Sequence, residues 1–463
     1  MKLNNYCFII KSSTGLKPSS RFKTLMTIIS ILFFLFLFFS FCKQTNTQAP
    51  QLNANEIQNV IQHMTDLMVH DITNPPLAAR FFSYTCLAGY EVVTQNDTTL
   101  HSLSGVINEF NSGYQVQSIN TQYSIPNTQL AAILAMLETA KKMQPSGKLL
   151  DDYEMQLIDS CKKIGFPNQV VENSLKYAQN VSAQILKYAK ADKYNRISNY
   201  PRYTPSTTEG SWYPTPPAYM PPVEPYFNTV RSFTLDSATQ FKPEPPAKFS
   251  KEKNSDFYKL LHEVYAQSLT PEQQDIAAFW DCNPFALQDN GHLLVGMKKI
   301  SPGAHWMGIT GIACKKEKLS FGKTLQVHTV LAMGLMDGFL CCWDEKFRSN
   351  RMRPETAIRK YIDPNWKPFL QTPPFPEYLS GHSTISAVST VILTHFFGDN
   401  YKYDDTVEER FGLPARSFAS FKAASEQAGI SRFYGGIHFM DAITNGQKQG
   451  TLIGNNVLKK LKL

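Results

Sequence analysis

Residues 346–354 read KFRSNRMRP, residues 379–382 read LSGH, and residues 431–438 read SRFYGGIH. Together these three blocks contain several cations, serine hydroxyls, glycine backbone and two imidazoles. Such groups can hold a tetrahedral oxyanion and carry it through a five-coordinate state. The equatorial oxygens then need donors, and the apical positions need a ligand or nucleophile and a proton donor. Because no other stretch concentrates polar chemistry in this way, the blocks predict an oxyanion pocket assembled from three segments.

Three cations are expected to bind the equatorial oxygens of the anion. Arg353 and Arg432 can each bind two oxygens through the guanidinium fork, whereas Lys346 acts as a point charge. Lys346 lies seven positions before Arg353, about two helical turns, so a helix would present both on one face. Pro354 ends any helix that runs up to this arginine.

The second block is predicted to begin a helix, and the third ends on a histidine. Ser380 is placed to cap a helix over 382–397, so its hydroxyl and the Gly381 N–H would lie at a positive helix N-terminus that favours an anion. Glycine there lets the anion approach the backbone closely. We expect His438 to be the apical nucleophile or metal ligand, and His382 to be the acid or base on the opposite side.

The blocks resemble the signature of the type 2 phosphatidic acid phosphatase and vanadium haloperoxidase superfamily: K-x6-RP, then PSGH, then SR-x5-H. The segments FWDCNPF at 279–285, SPGAHW at 301–306 and the stretch 70–91 resemble soluble, exported bacterial haloperoxidases. The resemblance covers roughly residues 55–460 and implies an α-helical fold of paired four-helix bundles, with the site in the core of one. The chain departs from the signature at Leu379, where the superfamily has proline.

The resemblance implies two chemistries, because phosphate and vanadate share one geometry. As a haloperoxidase, the favoured interpretation, the protein would coordinate vanadate through His438 and oxidise a halide with hydrogen peroxide. As a metal-free acid phosphatase, it would form a phosphohistidine at His438 from a phosphomonoester, with His382 protonating the leaving group. A third interpretation is a weakly active oxyanion-binding protein in which Leu379 relaxes the site.

Several further residues are candidates for the pocket or its surroundings. Phe375 matches a phenylalanine that lines the pocket in chloroperoxidase-like members of the superfamily. Asp441 follows His438 by three positions, whereas the phosphatases commonly place an aspartate four positions on to orient the histidine. His305, in a predicted glycine-containing loop, is a candidate for lining the pocket. Arg348 and Arg351 are predicted to lie on a solvated basic face.

Apolar residues at helical spacing predict an all-α bundle architecture, and few runs alternate with the period of a strand. The predicted helices are 55–69, 77–93, 127–143, 151–164, 168–191, 253–267, 271–280, 321–340, 380–397, 418–429 and 442–461. Prolines are dense from 200 to 250, which predicts a long irregular segment, and its many aromatic residues indicate packing across a surface. We therefore divide the folded part into an N-terminal helical half at 43–199, a proline-rich connection at 200–250 and a C-terminal catalytic half at 251–463.

The N-terminus carries an export signal or membrane anchor. After a preamble at 1–24, positions 25–41 read LMTIISILFFLFLFFSF, an uncharged run preceded by basic residues. The signal or anchor segment 25–42 ends at Cys42, within a stretch that resembles a bacterial lipobox except for Phe41. We expect an exported protein in the periplasm or at the cell surface, held as a lipoprotein or by an uncleaved membrane anchor.

Composition excludes several other classes of protein. Apolar residues make up 43% and charged residues 18% of the 463 positions, as in a folded protein. The formal charge of +8 is modest and scattered, and no nucleic-acid motif is present, so a nucleic-acid partner is not expected. Eight cysteines lack any CxxC pair, which argues against a zinc cluster.

Overall fold

The computed structural model describes Ser20 and residues 50–463, apart from residues 112, 114–126, 217, 291–292 and 298. Pro50–Leu463 forms one compact unit. The predicted preamble and the predicted signal or anchor segment with Cys42 lie outside the described residues, and they stay predictions.

The regular secondary structure of the described residues is almost entirely helical, which confirms the all-α prediction. Seven helices precede a small hairpin: α1 Asn55–His70, α2 Pro75–Val93, α3 Thr128–Met143, α4 Asp151–Lys163, α5 Asn168–Lys190, α6 Asp256–Tyr265 and α7 Pro271–Phe279. The others are α8 Pro302–Lys316, α9 Phe321–Ser349, α10 Pro354–Tyr361, α11 Gly381–Phe397, α12 Phe421–Tyr434 and α13 Met440–Leu461. Two short antiparallel hairpins interrupt them, β1 Leu287–Asn290 with β2 Leu293–Gly296 and β3 Tyr403–Asp405 with β4 Arg416–Phe418.

Helix α9 is the central element of the fold. One of its faces packs on α2, and others contact α8, α11 and α13. Within the described residues it is the one helix that is long and apolar enough to cross a membrane, and its apolar stretch is entirely buried by protein neighbours. Helices α9, α11, α12 and α13 form a bundle, while α2, α3 and α5 pack together on the far side of α9.

Small residues bring α11 and α13 unusually close together. Gly446, Gly450 and Gly454 recur every four residues on α13, so they share one helix face. A methyl group at Gly450 would lie 2.1 Å from the backbone oxygen of Thr384 on α11. The start of α11 is therefore held against α13, and both helices contribute to the site described below.

Near the site, one element differs from its prediction and another agrees with it. The prediction of a loop around His305 was wrong, because residues 302–316 form α8, capped by the Ser301 side chain, which accepts from Ala304 N. The proline-rich segment is irregular and packed, as the aromatic residues indicated. Its Trp212 is buried, and the backbone N–H of this residue donates to Asn350 O (2.8 Å), beside the first signature block.

Gly450→Ala should destabilise the protein, because its methyl group would overlap a backbone carbonyl that cannot rotate away. We expect the free energy of unfolding to fall by about 1–3 kcal/mol. Gly303→Ala on α8 is the matched control, since its methyl group would meet Leu335 at an ordinary 3.6 Å. Urea unfolding of both variants measures the difference, and equal midpoints would contradict this account of the α11–α13 contact.

Candidate oxyanion site

The three signature blocks meet at one cleft. The first block spans the end of α9 and the start of α10, the second lies at the N-terminus of α11, and the third joins α12 to α13. The cleft is small, with a cavity volume of about 30 Å³. The predicted site residues in its wall are Phe375, Gly381, His382, Arg432 and His438. The fold thus brings together groups that are far apart in the sequence.

His438 is held with its ring nitrogen Nδ1 on Glu377 and its Nε2 toward Arg353. Its Nδ1 donates to Glu377 Oε1 (2.8 Å), and Nε2 lies 3.1 Å from Arg353 Nη1. Burial lowers the pKa of His438 well below its usual range, and the charges of Arg353, Lys346 and Arg432 lower it further. The ring is therefore neutral, and its lone pair is on Nε2, as a metal ligand or nucleophile requires.

Two buried guanidinium groups keep donors without a partner among the described residues. Arg353 donates from Nε to Phe375 O (2.9 Å) and from Nη1 to Ile437 O (3.0 Å), which leaves Nη2 unpaired. Arg432 donates from Nη1 to Trp280 O (2.7 Å), which leaves Nε unpaired. A buried donor without an acceptor lowers the stability of the fold by about 1–3 kcal/mol, and by more when the group is charged. These atoms therefore indicate a site for an anion.

The second block supplies a proton acceptor and a helix N-terminus. Nε2 of His382 is buried without a partner, whereas the ring hydrogen-bonds the Trp280 backbone. Burial, with the charge of Arg432, lowers the pKa of His382 well below its usual range, so its free nitrogen is an acceptor at neutral pH. Ser380 caps α11, as predicted: its Oγ accepts from Ser383 N (3.3 Å). Gly381 forms the adjoining wall.

Lys346 binds the turn that leads into the second block. Its Nζ donates to the carbonyl oxygens of Pro376 (3.1 Å), Glu377 (3.2 Å) and Leu379. Burial lowers its pKa to about 7. All three N–H groups of the ammonium are therefore occupied by the turn that leads into α11. A leucine at position 379 preserves this contact, because the carbonyl oxygen, and not the side chain, accepts the hydrogen bond.

Comparison with known proteins identifies the family. A family model described as the VCPO second helical-bundle domain matches residues 326–463. The crystal structure of the first bacterial vanadium-dependent iodoperoxidase is 41% identical, with a TM-score of 0.82 over 89% of this chain and 98% of that chain. The chain belongs to the vanadium haloperoxidase family. It is an enzyme of the haloperoxidase type, and the family's vanadate fits the neutral His438 ring and the unpaired donors around it.

Two further structures show the same fold at low sequence identity. Apo-type bacterial vanadium-dependent chloroperoxidase is 12% identical, with a TM-score of 0.62 over 84% of this chain and 95% of that chain. The holo-type form is 14% identical, with a TM-score of 0.61 over 92% of this chain and 97% of that chain. Among curated protein sequences, none matches this chain.

A buried ion network orients the His438 ring of this haloperoxidase, and the sequence pattern did not indicate it. Glu377 accepts from Arg351 Nε (2.6 Å) as well as from His438. Arg351 in turn donates from Nη1 (2.6 Å) and Nη2 (2.7 Å) to Asp441. The prediction of Arg351 on a solvated face was therefore wrong, whereas Arg348 is one-third exposed. No periodicity or spacing distinguishes Glu377 from a surface glutamate.

The structure places two predicted pocket residues elsewhere. Asp441 contacts Arg351 and the Ala247 N–H (3.3 Å), and Glu377 occupies the position beside the His438 ring that an orienting aspartate would take. His305 is fully buried outside the cleft wall, with Nε2 2.7 Å from Asp405 Oδ2. Neither residue can touch an anion in the cleft.

Glu377→Gln should weaken vanadate binding by roughly 10–100-fold, the usual effect of removing the partner of a metal-bound histidine. The amide keeps the shape of the side chain but loses the charge that fixes the Nδ1–H tautomer. Calorimetric titration of the vanadate-free protein measures the change. Asp441→Asn is the control and should have a much smaller effect, because Asp441 contacts Arg351 and the Ala247 N–H but not His438. Equal losses in the two variants would contradict the assigned role of Glu377.

Proposed function

We propose that this enzyme uses vanadate to oxidise halide ions with hydrogen peroxide, and that iodide is its preferred halide. The observation that carries the proposal is the neutral His438 ring, whose Nε2 lies 3.1 Å from Arg353 Nη1, together with the buried donors that Arg353 and Arg432 leave unpaired. Such an arrangement suits an anionic metal oxide that needs one nitrogen ligand and several donors on its oxygens.

Each site residue has a separate task in this proposal. His438 would be the vanadate ligand, and Arg353, Arg432 and the Gly381 N–H would bind the oxygens. When bound, vanadate supplies the Lewis acid that activates hydrogen peroxide toward the halide. His382 would accept a proton from the incoming peroxide at Nε2 and return it to the leaving oxygen.

Lys346 would act through charge and position in this proposal. Its ammonium neutralises the anion from behind the turn at 376–379, and its three hydrogen bonds hold the start of α11 in place. Ser380 would contribute in the same indirect way, as the cap that fixes the first amides of that helix. The cations and the helix N-terminus thereby favour the anion from two directions.

A preference for iodide is supported by the relative at 41% identity, whose structure is that of an iodoperoxidase. The cleft wall includes four aromatic side chains, Phe285, Phe339, Trp343 and Phe375. A weakly hydrated, polarisable halide loses little on entering such a wall, whereas chloride loses more hydration. Iodide is also the easiest of these halides to oxidise.

The proposal predicts iodide oxidation that depends on vanadate and on His438. Triiodide formation from iodide and hydrogen peroxide should appear when vanadate is added to the metal-free protein. In His438→Ala it should fall to the level of the vanadate-free protein. His395→Ala, an exposed histidine on α11, is the control and should retain the activity. Vanadate-independent turnover, or full turnover in His438→Ala, would refute the proposal.

A phosphatase is the second candidate, because one contact suits its chemistry equally well. The Glu377 carboxylate on His438 Nδ1 would orient a nucleophilic histidine as well as a metal ligand. In that case phosphate release from a phosphomonoester such as p-nitrophenyl phosphate should occur without metal, be inhibited by vanadate and require His438. Measured with the same two variants, efficient hydrolysis without any iodide oxidation would replace the first proposal by this one.

A further inference from the structure

A second cluster of ligand-type side chains lies behind the cleft. Cys282 follows α7, His305 is on α8, and Glu408 precedes a short turn after β3. His305 Nδ1 is 3.4 Å from Cys282 Sγ and 3.1 Å from Glu408 Oε1, and Cys282 Sγ is 3.8 Å from Glu408 Oε1. All three residues are buried, and each offers one ligand atom to the same small space.

These separations match those between the ligands of a tetrahedral zinc ion. With metal–ligand distances of ~2.3 Å to sulfur and ~2.0–2.2 Å to nitrogen or oxygen, a tetrahedron places sulfur ~3.5 Å from either other ligand. It places nitrogen ~3.3 Å from oxygen. The Cys282–His305–Glu408 triangle lies within a few tenths of an ångström of these values, so a small shift of side chains would complete three ligand bonds.

The surroundings of His305 are also those of a metal-bound histidine. Its second ring nitrogen, Nε2, lies 2.7 Å from Asp405 Oδ2, and Asp405 Oδ1 accepts from Val407 N (3.1 Å). A carboxylate on the outer nitrogen of a ligating imidazole fixes its tautomer and raises its basicity, a recurring feature of zinc sites. This contact is independent of the three-atom triangle.

Charge balance is consistent with exchange of a divalent cation for two protons. Burial raises the pKa of the Cys282 thiol, so without a metal the group stays protonated. Burial lowers the pKa of His305, but the Asp405 carboxylate more than offsets this and raises it well above its usual range. A divalent cation that displaces both protons would leave the net charge of this buried cluster unchanged.

We propose that Cys282, His305 and Glu408 bind a zinc-type divalent cation, with Asp405 orienting His305 and a water as the fourth ligand. Cys282 also lines the cleft, which offers the ion a path of entry. The ligands come from three separate segments, which is why no CxxC spacing indicated them. The ion would anchor the segment whose Trp280 carbonyl binds Arg432 Nη1, and so would hold that guanidinium for the anion.

The test is metal titration of vanadate-free, chelator-treated protein with Co²⁺, which reports a cysteine ligand through thiolate-to-cobalt absorption. We expect the absorption to saturate at one equivalent and to disappear on addition of one equivalent of Zn²⁺. Cys282→Ser should abolish it, whereas Cys314→Ser, a buried cysteine on α8, should retain it. Asp405→Asn should retain the absorption but weaken Co²⁺ binding by roughly 10–100-fold.

Circular dichroism establishes that each variant is folded before titration. If Cys282→Ser does not fold, Glu408→Gln replaces it as the test variant and should show weakened Co²⁺ binding. A folded parent protein without the absorption would overturn the proposal and leave His305 as an imidazolium between two carboxylates. Absorption that survives in Cys282→Ser would overturn it as well. Because the readout needs neither vanadate nor turnover, failure here is distinct from failure of the haloperoxidase proposal.

Discussion

The Glu377 carboxylate, buried between His438 and Arg351, is the contact on which the site depends. It fixes the tautomer of the histidine, accepts the Phe439 N–H (3.0 Å) at the start of α13, and neutralises an arginine that is only 4% exposed. Removing one partner of such a buried ion pair typically costs about 3–5 kcal/mol, since the remaining charge is left without compensation. One side chain therefore joins the first and third signature blocks.

The rest of the pocket is built around polar groups that the protein leaves unsatisfied. Nη2 of Arg353 and Nε of Arg432 are buried donors without partners, and His382 Nε2 is an unpaired acceptor. Such groups destabilise the fold unless an anion occupies the cleft. The close packing of α9, α11 and α13 supplies the rigidity that keeps these groups in place, because the glycine face of α13 lets α11 pack directly against its backbone.

Prediction from the sequence succeeded for most long periodic helices and for the signature, although α9 ends at Ser349 and not at 340 as predicted. It failed where a role depends on a distant neighbour. Asn55–His70 and Met440–Leu461 differ from their predicted bounds by at most two residues, because apolar spacing and flanking residues define them locally. Helix α8 was missed because Pro302, Gly303 and Gly308 suggest a loop. The Ser301 cap and burial against α9 outweigh those local preferences.

The sequence alone determined the helical class, the three blocks and the cations and imidazoles they carry, because these follow from residue type and spacing along the chain. Only the tertiary structure decided that Glu377, and not Asp441, orients His438. It also decided that Lys346 binds carbonyl oxygens and that His305 faces Cys282, Asp405 and Glu408. The physical reason is that hydrogen bonds and ion pairs act over about three ångströms in space, and the partners here are up to a hundred or more residues apart in the chain.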